Sequence, residues 1–148
     1  MDENIKIAIS CDHAGKKLSD YIIEKLNGKF LFKNLNPPSN ESVDYPDYAH
    51  EVCNSINKGH VEYGVLVCGS GIGMSMAANR HKNIRAARVH DENAVIMTRK
   101  HNNANVLCLG ERMIDKNEAV KLVELFLETK FEGGRHQKRI DKIEIGWM

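Results

Sequence analysis

Apolar residues along this chain alternate between two spacings. Ile5-Lys6-Ile7-Ala8-Ile9 is a short β-rich run ending in Ser10-Cys11-Asp12-His13-Ala14-Gly15. Leu18, Tyr21, Ile22 and Leu26 then recur at helical spacing and stop near Asn27-Gly28, a helix-ending pair. Phe30-Leu31-Phe32 reads as a second strand. Asn36-Pro37-Pro38-Ser39-Asn40 is loop, because two prolines remove donors and fix the backbone. Pro46 stands where a helix can begin, with Ala49, Val52, Cys53 and Ile56 on one face as far as Gly59.

Gly64-Val65-Leu66-Val67-Cys68 is a continuous apolar run, the pattern of a central parallel strand buried on both faces. The loop Gly69-Ser70-Gly71-Ile72-Gly73 follows, and Met74 to Asn79 predicts a helix. Arg85 to Val89 predicts a fourth strand, Asp91 caps a helix to His101, and Asn105 to Gly110 predicts a fifth strand. Asp115 caps an amphipathic helix through Ala119, Leu122, Val123, Phe126 and Leu127. After Gly133-Gly134, the basic run Arg135-His136-Gln137-Lys138-Arg139 leads into Ile140, Ile143 and Ile145.

Strand, loop and helix repeated in this way predict an α/β fold, a parallel sheet with helices on both faces. Such sheets bind ligands at the carboxyl ends of their strands. Asp12-His13, Cys68 with its glycine loop, and the segment after the fifth strand therefore line one edge. The strand order is not legible at this level.

The length, 148 residues, suits one domain over 1–148, with 131–148 as a basic tail or helix. The 21 basic and 20 acidic residues give a formal charge of +1, so bulk charge draws the chain to neither nucleic acid nor membrane. An anion site must come from a few well-placed groups. No apolar stretch approaches the ~20 residues that span a bilayer. The acidic start Met1-Asp2-Glu3-Asn4 is unlike a secretory signal. Four cysteines without C-x-x-C spacing predict reduced thiols and a cytoplasmic location.

Three alternate glycines between a buried strand and a helix let backbone N–H groups approach an anion closely. The spacing narrows the chemistry. A P-loop lysine is missing, and a phosphatase loop would need an arginine where Met74 stands. The dinucleotide fingerprint lacks its third glycine at the same position. Asp91, about 20 residues on, keeps a nucleotide-binding module open as an alternative. Cys53 and Cys108 read as small buried hydrophobes. Cys68 reads either way, because it ends a strand facing backbone dipoles that favour a thiolate.

Taken in order, Cys11-Asp12-His13-Ala14-Gly15, Asp44-Tyr45-Pro46, Cys68-Gly69-Ser70-Gly71-Ile72-Gly73, Ala77-Ala78-Asn79, Arg99-Lys100-His101-Asn102 and Glu132-Gly133-Gly134-Arg135-His136 resemble the ribose-5-phosphate isomerase B family. The resemblance implies a three-layer αβα, Rossmann-like fold with a five-stranded parallel sheet. It also implies an aldose–ketose isomerase that needs no cofactor or metal and works through a cis-enediolate. Ribose 5-phosphate is the implied substrate, with six-carbon sugar phosphates as the alternative. By the same resemblance Cys68 is the base, Ser70 stands near the shuttled proton, and His101 opens the sugar ring. Asp12, His13, Tyr45 and Asn102 contact the sugar, while amides of Gly69, Gly71, Ile72 and Gly73 hold the enediolate oxygen. Arg112, Arg135, His136 and Arg139 grip the phosphate. Met74 occupies the position of an alternative glutamate base, which points to the cysteine branch. The site is expected at the interface of a homodimer or tetramer.

Each piece has a plainer reading. Asp12 can simply cap the first helix. His13 can be an exposed side chain, His101-Asn102-Asn103 a helix end, and Arg135 to Arg139 a solvated face. His50, His60, His81 and His90 lack metal-ligand spacing, so no metal site is expected.

Overall fold

The computed structural model describes residues 5–144. Ile145, the stretch 1–4 and the end of the 131–148 tail lie outside the described residues. The chain runs β1 (Lys6–Cys11), α1 (Lys16–Leu26), β2 (Leu31–Asn34), α2 (Tyr45–Asn57), β3 (Tyr63–Cys68) and α3 (Ile72–Ala78). It continues with β4 (Ala86–Arg88), α4 (Glu92–Lys100), β5 (Val106–Gly110), α5 (Lys116–Glu128) and α6 (Arg135–Glu144).

All pairings are parallel, in the order β2-β1-β3-β5-β4. The three apolar runs β1, β3 and β5 therefore form the centre. Gly64 pairs with Val106 and Cys68 with Gly110, so β3 and β5 end level with each other. Side chains alternate across the sheet and divide the core in two. Ile7, Ile9, Val65, Val67, Leu107 and Leu109 face α1, α4 and α5. Ala8, Leu66, Cys68, Val106 and Cys108 face α2 and α3 in a smaller cluster. Helices on both faces complete the three-layer α/β arrangement. Among the described residues, no helix is long and apolar enough to cross a membrane.

Element boundaries differ from the sequence expectation where side chains replace ladder bonds. β4 is three residues long, because the Arg85 amide donates to the Asn105 side chain at 2.8 Å instead of joining the sheet. Helix α3 starts at Ile72 rather than Met74, because Gly71 turns the chain at φ 80° and starts the helix early. Asp91 and Asp115 cap α4 and α5 as expected, accepting from Ala94 and from Asn117 and Glu118.

Candidate active site

The carboxyl edge of the sheet carries a cleft of about 530 Å³, lined by Asp12, His13, Tyr45, Cys68, Ser70, Arg112 and their neighbours. Cys68 ends β3 and is 5% exposed. Its sulfur accepts the Gly71 N–H at 3.1 Å. The Ser70 hydroxyl accepts the Ile72 N–H at 3.2 Å. The loop is held from outside as well: Cys68 O accepts from the Glu111 amide at 2.8 Å, and Gly69 O from the Arg112 amide at 3.1 Å.

Two of the glycines are required by geometry. Gly71 has φ 80°, and a Cβ there would stand 3.0 Å from the Leu109 carbonyl carbon. A Cβ on Gly73 would stand 2.6 Å from the Tyr45 ring. Tyr45 thus lies directly over the glycine loop and forms one wall of the cleft.

Asp12 does not cap α1. Its Oδ1 accepts from Ala14 N at 2.9 Å and Gly15 N at 3.0 Å, closing the turn before the helix. The α1 amide of Leu18 is satisfied instead by Glu111 Oε1 at 2.9 Å, from the end of β5. His13 Nδ1 accepts the Val43 N–H at 3.2 Å, so the neutral ring carries its proton on Nε2.

His101 is elsewhere. It is the C-cap residue of α4, after which Asn103, at φ 48°, turns the chain into β5. Val106 pairs with Gly64 at the beginning of β3, whereas Cys68 is at its end. A strand rises ~3.3 Å per residue, so the two edges stand roughly 16 Å apart. At the amino edge the His101 and His136 rings stack with centroids 4.3 Å apart and planes at 16°. His136 is 6% exposed, and its Nε2, 3.5 Å from Glu132 Oε1, has no hydrogen-bond partner among the described residues. Burial first, then His101, Arg135 and Arg139, hold its pKa below the usual imidazole value, with Glu132 opposing. Asn102 opens onto a separate hollow of about 380 Å³ beside Asn79, Arg85 and Glu144.

The chain therefore holds the expected residues in two sets. Asp12, His13, Tyr45, Cys68, the loop Gly69 to Gly73 and Arg112 share the carboxyl edge. His101, Asn102, Arg135, His136 and Arg139 belong to the amino edge and α6. His101, Glu132 and His136 present ligand atoms within 4.8 Å of one another, a donor set that zinc accepts. The charges of Arg135 and Arg139 beside His136 oppose a cation there and suit an anion.

Arg99 ties the second set together. It is 3% exposed and donates to Thr129 O at 3.0 Å, Asn103 Oδ1 at 2.8 Å and Ala104 O at 2.7 Å. Its guanidinium also lies over the rings of Tyr63 and Phe126. The Glu132 amide donates to Lys100 O at 3.2 Å, joining the connector before α6 to the end of α4.

Sequence reasoning missed two braces behind the glycine loop. Arg88, the last residue of β4, donates from Nε to Ser70 O at 2.7 Å. His90 Nε2 accepts the Gly110 N–H at 2.9 Å, and burial together with Arg88 lowers its pKa. Their position at the carboxyl end of an edge strand is the signal that could have found them. Cys53 and Cys108 are fully buried as expected; burial raises both thiols, Cys53 to about 12.

Comparison with known proteins matches residues 7–143 to the family described as Ribose/Galactose Isomerase. A solved ribose 5-phosphate isomerase RpiB from Thermotoga maritima is 45% identical, with TM-score 0.92, over 95% of this chain and 97% of that one. A Mycoplasma genitalium ribose-5-phosphate isomerase B, solved with bound ribulose-5-phosphate, is 44% identical, with TM-score 0.89, over 94% and 93%. A Listeria innocua protein named ribose-5-P isomerase B is 37% identical over 141 residues, 95% of each chain. Sequence, fold and near-complete coverage agree: this chain belongs to the ribose/galactose isomerase family, among the ribose-5-phosphate isomerase B proteins.

Proposed function

We propose that this chain is a single-domain isomerase interconverting D-ribose 5-phosphate and D-ribulose 5-phosphate through a cis-enediolate, without a cofactor. The observation that carries this reading is the Cys68 sulfur at the floor of an open cleft, cradled by the amide of a glycine loop. When the Cys68 thiolate takes a proton beside a carbonyl it becomes a neutral thiol, and the negative charge passes to the substrate carbon and on to the carbonyl oxygen. The Gly71 N–H is held by the sulfur and the Ile72 N–H by the Ser70 hydroxyl, so the amides of Gly69 and Gly73 are the loop donors proposed for that charge. Cys68 moves the proton between C2 and C1, and Ser70 stands beside its path. Asp12, His13 and Tyr45 hold the sugar end.

His101 opens the furanose ring, Asn102 binds hydroxyls, and Arg112, Arg135, His136 and Arg139 hold the phosphate. The roughly 16 Å between the sheet edges supports a shared site, in which a second copy supplies its amino-edge set to this cleft. A homodimer, or a tetramer of such pairs, meets that need with one self-complementary contact. Tyr45, Ile72 and Met76, exposed around the cleft, suit such a contact. The four unpaired thiols fit the reducing cytoplasm.

The test is turnover of ribose 5-phosphate by wild type and Cys68→Ala, with and without EDTA. Chelator-resistant turnover that falls about 10²–10⁴-fold in the variant supports the reading. No turnover of the five-carbon phosphate, with activity on allose or galactose 6-phosphate, replaces the substrate. Inactivity on all three overturns it.

A further inference from the structure

A guanidinium sits on the far side of the peptide group whose amide holds the Cys68 sulfur. Arg88 closes the edge strand β4, half-buried, and its Nε donates to Ser70 O at 2.7 Å. The Ser70 carbonyl and the Gly71 N–H belong to one planar, resonance-coupled peptide unit. That N–H donates to Cys68 Sγ at 3.1 Å. A cation on the carbonyl draws electron density from the amide nitrogen, so the N–H becomes a stronger donor; hydrogen bonds in series polarise one another. The gain is larger for an ionised acceptor than for a neutral one.

We propose that Arg88 is a positioning residue for the reaction: through the Ser70–Gly71 peptide it strengthens the bond that stabilises the Cys68 thiolate. The same contact fixes the peptide plane, so the N–H points at the sulfur before substrate arrives.

The other groups facing Cys68 do not duplicate this relay. Asp12 and His13 after β1, and Tyr45 at the start of α2, bond to neither the Ser70 carbonyl nor the sulfur. Arg112, after β5, lies against Gly69, and its amide bonds to Gly69 O. Helix α3 has no charged residue. Cys53 on α2 and Cys108 on β5 are held neutral by burial. His90 is discouraged from protonating by burial and by Arg88 itself. Arg88 is thus the cation wired to the loop peptide.

The proposal rests on the isomerase reading only for its catalytic consequence, because the thiol can be titrated without substrate. The experiment follows the rate of iodoacetamide alkylation of Cys68 against pH, by peptide mass spectrometry, in wild type, Arg88→Met, Arg88→Gln and Arg88→Lys. Folding of each is checked by circular dichroism. Loss of the charge is expected to move the alkylation midpoint up by about half to one unit, slowing alkylation at pH 7 about three- to tenfold. Arg88→Lys, with a charge but a different donor geometry, gives a smaller shift. The acid limb of kcat/KM moves with the midpoint. A folded, less stable Arg88→Met with an unmoved midpoint makes Arg88 a brace alone and overturns the proposal. Should Arg88→Met not fold, Arg88→Gln decides by the same criterion. A moved midpoint in a chain without isomerase turnover sinks the functional reading and leaves the relay standing. Full turnover with an unmoved midpoint does the reverse.

Discussion

A site shared between two copies, as proposed, would have a numerical signature. Take Cys68→Ala and His101→Asn, each expected to lower turnover about 10²–10⁴-fold. Within one protomer these positions stand about a strand length apart, roughly 16 Å, far more than a histidine side chain reaches. In a mixed pair, one centre draws Cys68 and His101 both from mutated positions and is dead. The other draws both from native positions and is whole. Random reassembly of equal amounts makes half the pairs mixed, each with one working centre of two, so activity returns to about a quarter of wild type. Co-expression with two affinity tags isolates the mixed pair, which should show about half. The coupled isomerase assay reads both values. If Cys68 and His101 of the same chain serve one centre, the mixture stays at the mean of the two parents. That result would refute the shared site, whatever the oligomeric state.

Three further outcomes follow from the geometry. Gly71→Ala puts a side chain at φ 80° and 3.0 Å from the Leu109 carbonyl carbon, and should cost about 1–3 kcal/mol in urea denaturation; an unchanged midpoint would show that the loop relaxes freely. Arg99→Met leaves the Thr129 and Ala104 carbonyls without their donor and should cost about 2–4 kcal/mol. Equal stability would mean that water replaces the guanidinium. His81, His90 and His136 all have pKa values lowered from the ordinary 6.5, so below that value the unfolded chain binds more protons than the folded one. Stability should therefore fall as pH drops from about 7 to 5, with His90→Asn flattening part of the slope. A urea midpoint flat over that range contradicts the lowering of these three histidines.

Much of the fold was legible because the signals were local. The run Gly64 to Cys68 shows its burial on both faces by having no polar alternation, and it is the central strand. Asp91 and Asp115 announce helix starts because capping acts over three residues. Asp12 misleads for the opposite reason. The Leu18 amide it would have served bonds instead to Glu111, 93 residues beyond Leu18 in the chain, which no local pattern can reveal. The candidate site residues stood out as an ordered set of motifs, but the sheet edge on which each falls was not legible. Once β3 and β5 are known to be neighbours and parallel, a residue before β5 cannot share an edge with one after β3. Arg88 was hidden within a run that read simply as strand, since its partner is a backbone carbonyl in another loop.

The two-sided core has a consequence for how the molecule opens. Cys68 belongs to the smaller cluster, under α2 and the seven-residue α3, while α1, α4 and α5 close the larger one. A helix of two turns has little stability of its own and relies on its packing. Local openings are drawn from regions with the least buried apolar surface. Amide hydrogens of α3 should therefore exchange with solvent ahead of those in β1, β3 and α5. The sulfur's cradle then breathes on a timescale separate from global unfolding. A bound substrate, or a second copy laid over Ile72 and Met76, would slow that exchange first, so protection of α3 amides reports occupancy of this face before any turnover is measured.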